Sequence, residues 1–181
     1  MEYTSYNTTL LETEDKLLLV YSKALKIIKE YARINELAMV CMQSKGYNGF
    51  KRWHRYRNRE FNNFALILQN ELFDRYRKTV KIEIPIINYE PQSMNTHLLN
   101  WKEKINQSII DLGSCNKDYF NLVGTDNCII NEAIETLSKD YEKVCRYYSR
   151  FSEGDWLIHD MHIVDDCIHR KFKKKEEHYG Y

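Results

Sequence analysis

Four residues late in the chain, His159, His162, Asp166 and His169, follow one another at steps of three, four and three. On a helix that spacing makes one continuous stripe, and imidazole with carboxylate suits Fe(II), Zn(II) or Ni(II). Histidine also changes charge near neutrality, so the stripe would equally serve as a pH-sensitive gate, or simply as a polar face turned to water. Glu132 and Glu135 form a smaller acidic pair on one helical face, with a solvated surface as the plain alternative. Earlier, NREFNNFAL (58–66) sets Phe61 and Phe64 three apart beside Glu60, at the spacing where a metal-carrying helix bears Glu-x-x-His. Two phenyl rings there read as core packing, or as a metal site without its ligands.

The run KRWHRYRNR (51–59) interleaves cations with Trp53 and Tyr56, a pattern that can grip a phosphate backbone and stack on bases. It also fits an amphipathic helix whose aromatic side packs inward. The chain carries 27 basic and 26 acidic residues, a net charge of +1, which argues against nucleic acid and against a charged membrane surface as partners.

These groups need elements to hold them. At 181 residues, 43% hydrophobic and 13% aromatic, the chain suits one domain over 1–181 with a sizeable core and argues against disorder. Cys41, Cys115, Cys128, Cys145 and Cys167 stand singly, without CxxC spacing, and read as reduced thiols. The start lacks a basic stretch followed by an apolar run, and nowhere do eighteen apolar residues follow one another, so a cytoplasmic protein is expected.

Only six glycines and two prolines occur, and both prolines, Pro85 and Pro91, fall in one stretch. Long uninterrupted helices are therefore expected on either side, in an all-α chain. The predicted helices cover about 8–43 with a Thr8 or Thr9 cap, 50–76, 94–123, 125–151 with a Thr125 or Asp126 cap, and a short 155–173. TVKIEIPII reads as extended, within a connection long enough to cross a bundle and restart in parallel, and the basic and acidic end KKKEEHYGY (173–181) gives a solvated tail from 174 to 181.

Four long helices with a long crossover between the second and third, and a short fifth helix, resemble the ferritin family. The stretch SKGYNGFKRWHRYRNREFNNFALILQNELFDR resembles the ferritin turn and second helix, EKINQSIIDL a third-helix Asn-Gln-Ser run, and DWLIHDMHI the short terminal helix. The resemblance covers nearly the whole chain, in order. It implies a ferritin-like four-helix bundle that self-associates, typically as a 24-subunit cage, and stores iron as ferric mineral.

The family's di-iron ferroxidase centre needs carboxylates and a histidine from facing helices. In that frame Phe61 takes the glutamate position, Phe64 the histidine position and Lys102 the third-helix glutamate position, while the first-helix position falls at Ile28 or Lys29, with Glu30 one residue away. The resemblance thus implies that the usual centre is absent, its place filled by rings and an internal lysine contact, as in light subunits that depend on nucleation or on a catalytically active partner subunit. Glu30 and Glu60 become candidate inner-face iron sites, Glu132 and Glu135 candidates for the threefold channel, and His159, His162, Asp166 and His169 for the fourfold channel. Two alternatives stand beside storage: a relocated oxidation site using Glu30, Glu36, Glu60, Glu71 or the histidine stripe, and a ferritin-fold scaffold that has abandoned iron.

Overall fold

The computed structural model describes residues 3–91, 93–152 and 158–179, with side chains from Thr13 onward except those of Ile158, His159, Glu176, His178 and Tyr179. Five helices follow in order: α1 (Tyr3–Ser44), α2 (Asn48–Tyr76), α3 (Met94–Val123), α4 (Cys128–Ser152) and α5 (Ile158–Tyr179). There is no strand among the described residues. No helix among them is long and apolar enough to cross a membrane.

Helix α1 begins at Tyr3, so Thr8 and Thr9 lie inside it rather than capping it. With no glycine or proline before Gly46, each further residue adds a hydrogen bond at a propensity cost of only tenths of a kcal/mol (about 0.7 at most). Gly46, at φ 81°, supplies the left-handed turn that ends α1 and sends α2 back along it. Contacts run in reverse order along the two helices, from Asn35 with His54, through Lys29 with Asn62, to Tyr21 with Glu71, which makes them antiparallel.

Arg77, left-handed at φ 55°, closes α2. The connection from 77 to Ser93 must then climb back along α2, whose 29 residues span about 43 Å. Seventeen residues reach at most about 56–61 Å when extended. The TVKIEIPII stretch is therefore extended, as its β-branched alternation predicts, but it pairs with no other segment of the described chain, and Ile86 is 97% exposed. The side chain of Ser93 accepts the Thr96 N–H and starts α3 parallel to α2, since His54 meets His97 at one end and Arg75 meets Tyr119 at the other.

Helix α4 starts at Cys128, three residues after the expected 125, because the buried Asn127 is its cap rather than Thr125 or Asp126. Its Oδ1 accepts the N–H groups of Ile129 and Ile130, both at 3.1 Å. Asp126 instead takes a bond from Asn116. Asn127 also reaches Glu71 of α2 while Asp140 lies beside Arg57, so α4 runs against α2.

A break is expected at Ser152, Glu153 and Gly154; Ser152 is instead the last residue of α4, and the other two lie outside the described residues. Helix α5 then runs to Tyr179, past the expected end at 173, so the supposed tail is helical as far as the described residues go. Burial of Phe172, the Lys173–Glu177 pair and Lys175 over the rings of Tyr56 and Phe172 hold that extension in place. The helix lies beside α2 and parallel to it, with Asp165 at Phe50, His169 at Arg52 and Phe172 at Trp53. Asp165 accepts the Phe50 N–H at 2.8 Å, taking one of the orphan donors at the start of α2.

Candidate functional site

At the middle of the bundle, where a di-iron site would need carboxylates, Phe61 and Phe64 are 0% and 4% exposed. Their centroids are 5.3 Å apart, and Phe61 lies 4.5 Å from the ring of Tyr31. Ile28 is fully buried beside them in the same core, and Lys29 turns aside to donate to Asn62 Oδ1 at 3.2 Å. These groups offer hard metal ions nothing to bind, and their burial stabilises the bundle by about 1.5–3 kcal/mol per ring. Lys102 does not enter this space. Its ammonium sits 4.7 Å above the Tyr148 ring, on the side of α3 that meets α4, where a charge keeps water and a π face without the cost of full burial.

About two turns back along α2 the interior becomes polar, and this cluster was not expected from the sequence. His54 of α2 and His97 of α3 are both fully buried, with their Nε2 atoms 3.2 Å apart. Asn35 donates its Nδ2 to the Tyr31 carbonyl at 2.8 Å, which turns its Oδ1 toward His54 Nδ1, also at 2.8 Å. His54 must therefore donate from Nδ1 and accept at Nε2. His97 accordingly donates from Nε2, and its Nδ1 accepts the Tyr89 hydroxyl at 2.8 Å. The hydrogens run one way, from Tyr89 through His97, His54 and Asn35 to a helix carbonyl. Burial pushes both imidazoles down, His97 to about 3, and His54 is lowered further by His97 beside it, so both are neutral.

A second buried network joins α2 to α4. Asp140, at 0% exposure, takes the Nε and Nη2 of Arg57 as a bidentate pair and the Trp53 indole N–H at 3.3 Å. Arg57 also holds Glu60, and Lys143 lies 3.8 Å from Asp140. Burial works against the Arg57 charge, but Asp140 beside it more than offsets that and raises its pKa. The chemistry here is structural, a charge pair locked by its own hydrogen bonds.

Among the remaining expected site residues, Glu30 is paired with Lys26 at 4.0 Å and Lys104 at 3.6 Å, beside a cavity of about 370 Å³ that Asp111, Cys115 and Asp118 help to line. Glu36 pairs with Arg33, and Glu71 is held by Tyr21, Asn127 and Arg75. Glu132 and Glu135 both lie exposed on α4, with Lys139 3.5 Å from Glu135. On α5, His162 stacks on Tyr47 at 5.1 Å and 14°, His169 accepts from Arg52 Nε at 3.2 Å, and Asp166 is exposed. His159 is on the same helix, with its side chain outside the described residues. No three His, Cys, Asp or Glu side chains converge as a metal site among the described residues. The cysteines described are free thiols, with Cys115 pushed up to about 11, chiefly by burial.

No family model matches the chain. No curated protein matches it either.

Proposed function

We propose that this chain is a ferritin-like subunit that self-associates into a cage and holds iron as mineral, without a conventional ferroxidase centre in its bundle. The observation that carries this reading is the helix order: α1 and α2 antiparallel, a connection along the bundle, α3 parallel to α2, and α4 reversed again. The ring-filled middle at Phe61 and Phe64 supports storage over oxidation there. Mineral would start on carboxylates of the inner surface, with Glu30 and Glu60 as candidates, and Fe(II) would pass Glu132 and Glu135. Self-association is supported by Ile84 and Ile86, apolar side chains that stand exposed on an unpaired extended segment.

A second reading, an iron-independent scaffold of the same fold, is favoured by the cations that already hold Glu30 and Glu60. Aerobic addition of Fe(II) to the purified protein, followed by particle size and absorbance, separates the two. A large shell that mineralises slowly is the expected result, oxidation much faster than in buffer would reveal a relocated site, and a small oligomer that takes up no iron would leave the scaffold.

A further inference from the structure

The net charge of +1 conceals a strong segregation. Residues 51–59 carry five cations and no acid, and residues 170–175 carry five cations in six positions. The two runs are more than a hundred residues apart in sequence, yet α5 lies parallel to α2 and brings them side by side. Arg52 and Arg59 lie on α2 along about 10 Å of axis, which matches three phosphates of one strand at about 3.4 Å each. On α5, Arg170, Lys171, Lys173 and Lys174 are all exposed.

Helix α4 adds to the same surface. Lys143 sits 5.8 Å above the Trp53 ring and 3.8 Å from Asp140; burial lowers its pKa most, Asp140 opposes that, and Lys171, Arg57 and Lys175 lower it further. Lys175 is likewise lowered by burial first and by Arg57 and Lys171 next. Like charges held this close stay ionised at a cost that an anion would relieve. The nearby described acids are largely engaged: Asp140 holds Arg57 and lies 3.8 Å from Lys143, Glu60 holds Arg57 and attracts Lys175, Asp165 caps α2, Glu177 pairs with Lys173, and Asp166 is exposed.

We infer that the face formed by the start of α2 and the end of α5, with Lys143 of α4 at its edge, is a binding surface for the phosphate backbone of a nucleic-acid duplex. The aromatics decide against single strands. Trp53 is 1% exposed, and the Tyr56 ring is already covered by Lys175 at 4.9 Å and flanked by Arg57 at 5.5 Å, so neither ring offers bases an open platform. Recognition is therefore through backbone charge, without base readout. This surface does not rest on the iron reading, because the residues that carry it take no part in that one.

The test is fluorescence anisotropy of a short labelled DNA duplex of mixed sequence, titrated with the full chain across a salt series. Binding is expected to weaken with a log–log salt slope of about −4, from four or five neutralised phosphates. The exposed pair Lys171→Glu with Lys174→Glu should weaken binding at least about tenfold and flatten the slope by about 2, while Lys171→Arg with Lys174→Arg keeps both. Lys23→Glu with Lys117→Glu, exposed on α1 and α3, changes the net charge equally and should leave binding within about twofold if the face is specific. The inference is overturned if the duplex fails to bind at low salt, or if the control pair weakens it as much. It is also overturned if single strands bind more tightly than the duplex, or if only anionic lipid vesicles are bound.

Discussion

His54 and His97 share a single hydrogen between their Nε2 atoms at 3.2 Å, and no water-exposed surface of either ring remains. Each imidazole is held neutral by its surroundings, and several consequences for stability and folding are measurable.

The pair makes folding sensitive to mild acid. Both histidines have folded-state pKa values below the unfolded value of about 6.5. The unfolded chain therefore binds protons first, and the stability present above about pH 6.5 is lost as pH falls toward 3, where His97 itself titrates. Each neutral histidine should contribute a slope of about 1.4 kcal/mol per pH unit in that window. Urea denaturation between neutral pH and the onset of carboxylate titration measures it, and His97→Gln should make the slope shallower.

Tyr89→Phe removes the hydroxyl that donates to His97 Nδ1 and leaves a buried acceptor without its partner. A loss of about 1–3 kcal/mol is expected. Because Tyr89 ties the connection after α2 to the bundle, limited proteolysis should cut faster within residues 77–91 in the variant.

Arg57→Ala strands the fully buried Asp140. The expected cost is about 3–5 kcal/mol, while Arg57→Met combined with Asp140→Leu should cost much less, since the charges it leaves, Glu60 and Lys143, are partly exposed and neither is fully buried. A double-mutant cycle by chemical denaturation compares them.

Gly49→Ala tests how α5 docks. A Cβ there would stand 1.9 Å from the Asp165 carbonyl oxygen, which belongs to backbone and cannot swing away. Helix α5 must shift, with a loss of at least about 1–3 kcal/mol. The change should appear as altered Trp53 fluorescence and faster proteolysis in α5, since Trp53 stacks on Phe172.

The helical architecture was legible because its signals are local. Gly46 marks a turn, Pro85 and Pro91 mark the connection, and the steps between Trp53, Phe61, Phe64 and Leu68 mark a buried face. The α4 cap was misread because Thr125, Asp126 and Asn127 are all good caps in sequence, and the choice of Asn127 depends on Glu71 and Asn116, more than ten residues distant. The end of α5 was misread because its support comes from rings on α2, which charge composition does not reveal. His54 and His97 escaped notice for a similar reason. Each is an isolated histidine on its own helix, and only the parallel crossover brings them together. Lys102 was placed inside by counting along the chain, whereas its length lets the ammonium reach the Tyr148 ring.

The docking of α5 along α2 also sets an order of events during synthesis. A growing chain that has released only the first four helices can close the bundle around Phe61 and His54, but Phe50, Trp53 and Tyr56 still lack the Asp165 and Phe172 side chains that cover them. Until the fifth helix emerges, the nascent protein carries an open aromatic cleft beside a row of arginines. Chaperones would meet an intermediate that is sticky and basic only along that row, and completion of the chain both covers its rings and sets a second row of cations beside the first.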